Sequence, residues 1–189
     1  LMIQATQLRV GMTILYNNEP YRVLSVQHIT PGNWRGMVQT KLRNLKTGGA
    51  VENRFRSEDK LDRASLEQHE MEYLYNDGAD YHFMNSVTYE QTSLSADVLG
   101  DNVRYLVPNI KFMVEYYNEV PVGVEPPKIV ELKVVDTTPN MRGATVTATQ
   151  KPATIETGLV VNVPSFINVG EVIRVDTAEG KYIERAKAQ

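Results

Sequence analysis

Thr13-Ile14-Leu15-Tyr16, then Asn17-Asn18-Glu19-Pro20, then Tyr21-Arg22-Val23-Leu24-Ser25-Val26: this stretch decides the fold class. Two apolar runs rich in β-branched and aromatic residues flank a cluster of Asn and Pro, the pattern of two strands joined by a hairpin turn. The following runs repeat it. Met37-Val38-Gln39-Thr40-Lys41-Leu42-Arg43 alternates, with Met37, Gln39, Lys41 and Arg43 on one face and Val38, Thr40 and Leu42 on the other. A period of two predicts a half-buried strand, here with a partly basic outer face. Thr47-Gly48-Gly49 turns the chain into Ala50-Val51-Glu52-Asn53-Arg54-Phe55-Arg56. Four or five such strands within about 60 residues predict a small barrel.

The same style continues downstream. Glu70 to Tyr75 leads into Asn76-Asp77-Gly78, a hairpin signal, and Tyr81-His82-Phe83-Met84 returns. Ser95 is placed to cap a short helix or turn through Leu99. Residues 111–117 and 119–124 read as another hairpin, and Pro126-Pro127 marks a boundary. Beyond it Ile129 to Val135 alternates cleanly. Residues 158–163, 171–175 and 182–185 add strands, with a turn at Ala178-Glu179-Gly180. No helical periodicity of any length interrupts this series. The expected architecture is all-β, three consecutive small barrels over residues 1–64, 65–128 and 129–189.

Composition limits the function. Hydrophobic residues make up 42% and charged residues 23% of the 189, which excludes wholesale disorder. There is no cysteine, so disulfides, thiolate metal sites and thiol catalysis are out. No apolar run approaches the roughly 20 residues of a membrane span, and residues 1–11 do not read as a signal peptide, so a cytoplasmic protein is expected. His28, His69 and His82 stand 41 and 13 residues apart, without zinc-like spacing. Neither a GxSxG, a P-loop nor a GxGxxG occurs, and no carboxylate pair is singled out. Asp77 and Asp101 sit beside glycines and read as turn residues. No catalytic residue, metal or cofactor is expected.

The net charge of −3 hides a segmental asymmetry. Residues 1–64 carry ten Lys/Arg and five Asp/Glu, residues 65–127 two and eleven, and residues 128–189 eight and seven. The basic first segment suits a phosphate backbone and the acidic middle repels one. The loop Thr30-Pro31-Gly32-Asn33-Trp34-Arg35-Gly36 lies between two strands of the basic segment and holds the only Trp. An aromatic ring and a guanidinium on a loop tip suit base stacking and phosphate contact. A Trp folded back on the barrel with a solvated Arg explains the same residues equally well.

Residues 151–170, KPATIETGLVVNVPSFINVG, resemble the signature of the bacterial translation elongation factor P family. Lys151, Ala153, Gly158, Val163, Pro164 and Gly170 match it. The resemblance extends through 122–134, 72–78 and 38–52, nearly the whole chain. It implies an SH3-like (KOW-like) N-terminal barrel followed by two OB-type barrels, in an L that mimics tRNA in outline. It further implies a ribosome-binding factor seated beside peptidyl-tRNA, whose N-terminal loop, here Pro31 to Gly36, reaches toward the peptidyl-transferase centre. There it promotes peptide bond formation at stalled proline runs by positioning the acceptor end rather than by acid–base chemistry. Ribosomal RNA and proteins, peptidyl-tRNA and the exit-site codon of the mRNA are the implied partners, and a monomer is expected.

Two positions depart from the family pattern. Relatives carry a modified Lys, or in one branch an Arg, at the loop tip, where this chain has Asn33. An amide cannot be extended as an amine can, so Asn33 is expected to remain unmodified. In the third barrel a Gly-Asp-Thr of many relatives, which contacts the exit-site codon, is replaced by Gly143-Ala144-Thr145, which lacks the carboxylate. These departures keep open a paralogue with a different ribosomal role. A general OB-type RNA-binding protein is a further alternative, opposed by the acidic middle segment. A metabolic enzyme is opposed by the missing catalytic set.

Overall fold

Asn17 and Asn18 adopt φ values of 52° and 62°. Such left-handed angles are tolerated best by Gly and Asn, and two in succession make the tight turn whose twist matches paired strands. The expected four-residue turn therefore shrinks to two residues, and Glu19 and Pro20 begin the next strand. In this computed structural model residues 1–30, 32, 35–139 and 150–187 are described. They form a nearly all-β chain of three curled sheets.

The first sheet contains β1 (Met2–Gln4), β2 (Thr13–Tyr16), β3 (Glu19–Ile29), β4 (Met37–Asn44), β5 (Ala50–Arg56) and β6 (Lys60–Arg63). Their order is β1-β6-β2-β3-β4-β5. Six strands replace the expected four or five, because β1 and β6 are too short to show a period. They become strands by pairing, Ile3 opposite Leu61. Burial along β4 alternates as its sequence predicts, with Val38, Thr40, Leu42 and Asn44 inward. The core gathers Ala5, Leu8, Ile14, Tyr21, Val23, Val38, Leu42, Phe55 and Leu61. Each fully buried large aliphatic or aromatic side chain stabilises the barrel by about 1.5–3 kcal/mol.

The second sheet contains β7 (Glu67–Asn76), β8 (Tyr81–Asn85), β9 (Gln91–Leu94), β10 (Lys111–Tyr117) and β11 (Val120–Glu125), in the order β11-β10-β7-β8-β9. Between β9 and β10 lies α1 (Ala96–Leu99), whose first turn is capped by Ser95 Oγ accepting from Val98 N at 3.4 Å. A 3-10 helix, Gly100–Tyr105, follows. The Asn76-Asp77-Gly78 turn is wider than a two-residue hairpin and runs through Asp80. The Asp77 carboxylate accepts from the amides of Ala79 and Asp80 at 2.9 and 2.8 Å. Those bonds and His82 hold its carboxyl well below the usual carboxylate range.

The third sheet contains β12 (Ile129–Thr137), β13 (Gln150–Ile155), β14 (Val160–Pro164), β15 (Val172–Asp176) and β16 (Lys181–Arg185), in the order β14-β13-β12-β15-β16. β14 and β16 approach each other and curl the sheet toward a barrel. Val130, Leu132 and Val134 point inward, as the alternation of β12 predicts. By compactness the chain divides into two units. One comprises Leu1–Gln68 with Glu115–Gly123, the other His69–Val114 with Val124–Gln189.

Candidate nucleic-acid interface

The longest strand pair carries the loop of interest. β3 runs eleven residues and pairs with β4 down to His28 opposite Val38 and Ile29 opposite Met37. A register shift between Val23 and Ser25 marks a bulge, which strengthens local twist. The segment 30–36 spans the end of this ribbon. Of its residues, Pro31, Asn33 and Trp34 lie outside the described residues, whereas Gly32, Arg35 and Gly36 are described. Gly36 anchors the base: its carbonyl accepts from Ser57 N at 3.0 Å. A Cβ on Gly36 would stand 2.6 Å from Ser57 Oγ, so a larger residue requires that hydroxyl to turn aside.

Arg35, which the sequence offers either as a phosphate contact or as a solvated side chain, donates to Glu58 at 3.2 Å. Both side chains are well exposed, 77% and 63%. An ion pair so open to water contributes little and is readily exchanged for another anion.

The outer face of the sheet is the second part of the site. Lys41 and Arg43 are exposed on β4, and Arg54 and Arg56 on β5. Register brings them together, with Gln39 opposite Arg54, Met37 opposite Arg56 and Lys41 opposite Glu52. Arg54 Nε donates to Gln39 Oε1 at 3.0 Å, which orients its guanidinium along the sheet. Arg54 and Arg56 stand in a run that the sequence gives as a strand, but their place beside Lys41 and Arg43 follows only from pairing. Four cations against the one carboxylate of Glu52 make this face attractive to a polyanion.

Arg22 lies on β3 opposite Arg43. Its Nη2 donates to both oxygens of Glu115, at 3.2 and 3.1 Å, and the Glu115 side chain is only 11% exposed. Nothing in the spacing of residues 93 positions apart foretold this pair. It neutralises one of two adjacent cations and fixes the tip of the β10–β11 hairpin within the first unit.

The signature residues of the third sheet serve its packing. Ala153 and Val163 are buried, Gly158 has φ +90° in the turn between β13 and β14, and the amide of Gly170 donates to Val134 O. Lys151 Nζ donates to Thr138 O. Gly143, Ala144 and Thr145 lie outside the described residues. Among the described residues no cluster of His, Asp and Glu could hold a metal ion, and no helix is long and apolar enough to cross a membrane.

Fold and surface together define a class, a chain of small KOW-like and OB-type β-barrels. Residues 4–61 match the elongation factor P (EF-P) KOW-like domain, residues 66–124 its OB domain and residues 130–185 the elongation factor P C-terminal domain. The chain is 54% identical over 186 residues to elongation factor P of Acidobacterium capsulatum, covering 98% of this chain and all of that protein. It is 45% identical over 187 residues to elongation factor P of Gemmatimonas aurantiaca, covering 99% and 100%. The chain belongs to the elongation factor P family, a family of translation elongation factors. A solved structure of eukaryotic translation initiation factor 5A from Methanococcus jannaschii shares the fold. Its TM-score is 0.52 at 15% identity, over 67% of this chain and 91% of that one.

Proposed function

We propose that this chain binds the ribosome beside peptidyl-tRNA and promotes peptide bond formation at stalled proline runs. The observation that carries the reading is likeness over 98% or more of the chain to relatives named elongation factor P. The basic face of β4 and β5 supports it, because cations spaced along a sheet suit an RNA backbone. Proline is a poor and constrained nucleophile, and holding the acceptor end in place removes entropy from the barrier without an acid or base. Asn33, Trp34 and Arg35 act unmodified on that end. Asn33 offers donors and acceptors, Trp34 a stacking surface and Arg35 a fork for phosphate oxygens. Gly143, Ala144 and Thr145 contact the exit-site codon. The factor works as a cytoplasmic monomer with domain limits near residues 64 and 128.

A proline-run reporter in extract lacking the endogenous factor tests this. Added protein is expected to relieve the stall, and alanine at Trp34 or Arg35 to weaken the relief. No relief by the parent protein would favour the second reading, a paralogue with another ribosomal role, to which Asn33 in place of a modifiable Lys or Arg points. Intact mass of the protein from its native host tests the loop: any added mass on residues 31–36 refutes an unmodified tip.

A further inference from the structure

A polar notch of about 440 Å³ opens in the second unit, between the start of the β7–β8 turn, the 3-10 helix after α1 and the β13–β14 turn. None of its nine lining residues is acidic, although residues 65–127 carry eleven carboxylates. Into it comes Arg104, one of only two cations of that segment. Arg104 is held from two sides. Its carbonyl accepts from Thr157 Oγ1 at 2.6 Å, and its guanidinium lies 5.1 Å from the centroid of the Tyr105 ring. Tyr105 is itself buried, and its hydroxyl donates to Thr177 O at 3.2 Å. Arg104 makes no ion pair among the described residues, and its Nε is buried with no hydrogen-bond partner there. Such a donor is costly to leave unmet.

Three further side chains on the notch can donate. Tyr73 and Tyr81 line it with their rings 6.4 Å apart. Burial and the neighbouring Tyr81 push the Tyr73 phenol up, so it stays a protonated donor at neutral pH. The Asn76 side-chain amide is the third, its oxygen accepting from Gly78 N and its nitrogen left to donate, whereas the Gly158 amide already donates to Ile155 O. A fixed guanidinium fork, two phenols and an amide without a carboxylate match a tetrahedral oxyanion.

We propose that this notch is a phosphate-binding site, with Arg104 as its central ligand and Tyr73 and Tyr81 as supporting donors. It would give the acidic middle of the chain a defined point of phosphate contact, remote in sequence from the basic face of β4 and β5. The phosphate is supplied either by an RNA backbone, a source that rests on the ribosomal reading above, or by free phosphate.

The test is the Arg104 Nε–H signal in nuclear magnetic resonance of the full-length protein, titrated with inorganic phosphate against chloride at equal ionic strength. Phosphate alone is expected to move it saturably. Arg104→Lys keeps the charge and loses the fork; read at the backbone amide of Gly158 on the same notch, since the Nε–H is gone, it is expected to weaken binding about tenfold. Tyr81→Phe, which removes one hydroxyl from a folded barrel, is expected to weaken it about threefold. A five-nucleotide single-stranded RNA that moves the same signal and is displaced by phosphate identifies the backbone source; movement by phosphate only identifies the free anion. Equal movement by phosphate and chloride, or none, or unchanged binding in both variants, overturns the site. A stalled-proline assay that fails while this titration succeeds counts against the ribosomal role and not against the notch.

Discussion

The β13–β14 hairpin and the β3–β4 hairpin divide recognition from contact. The first carries most of the signature by which the sequence is known, yet its described signature residues mostly fill the core or shape a turn, Ala153 and Val163 inside and Gly158 at φ +90°. The second bears a weaker sequence mark, yet it and its neighbour β5 expose Lys41, Arg43, Arg54 and Arg56. A motif is most rigid where packing admits one residue size or one backbone angle. A polyanion-facing surface needs only enough positive charge, and many sequences supply that.

The contrast is sharpest if each hairpin is damaged in turn. Ile155→Ala, two residues after the signature's Ala153 on the same strand and fully buried, is expected to cost about 2–5 kcal/mol in denaturant unfolding with no direct effect on RNA affinity. A cost below the range of surface substitutions would break the assignment of the signature to packing. Glu115→Gln leaves Arg22 without its counter-ion beside Arg43, and a loss of about 1–3 kcal/mol is expected, since both partners are partly shielded. Gly158→Ala forces a Cβ into left-handed backbone and is expected to cost about 1–2 kcal/mol by the same measurement.

The basic hairpin is expected to behave in the opposite way. Lys41→Ala, Arg43→Ala and Arg56→Ala should each leave stability within about 0.5 kcal/mol. If each cation meets a phosphate, each loss should lower the slope of log affinity for RNA against log salt by roughly 0.7–0.9. An unchanged slope in the triple variant would remove this face from the interface. The smallest effect belongs to Asp77. Its carboxyl is depressed from 3.8, so its contribution is complete above that pH and lost as pH falls below it. Asp77→Asn is expected to lower stability slightly at neutral pH, where the carboxylate contributes, and to leave the most acidic region nearly unchanged, so that the acid limb flattens, as read by thermal unfolding at stepped pH.

Strand identity was legible wherever apolar and polar residues alternate over five or more positions. β4 and β12 show this, each burying the residues its pattern assigned. The turn at Asn17-Asn18 was legible in kind but not in length, because Pro20 mimics a turn residue while lying in a strand paired with Leu15. β1 and β6 were not legible, since three or four residues carry no period and their strand character comes from each other. Of the candidate site, Lys41 and Arg43 were readable as outward positions, Trp34 as the lone Trp of the loop, and Asn33 and Ala144 as departures from a family pattern. The partnership of Arg35 with Glu58 was not readable, nor was the presence of Arg104 in a notch free of carboxylates.

The sequence by itself determined the all-β class, the strand alternation, the segmental charge and the family. Each is a property of neighbours along the chain, where side-chain period and turn chemistry act over a few residues. Only the tertiary structure decided which cations share a face, that Glu115 neutralises Arg22 and not Arg43, and that Arg104 faces donors instead of acids. Those outcomes depend on pairing register and on contacts between residues 93 or 53 positions apart, and no local pattern encodes a distance between strands that meet only after folding.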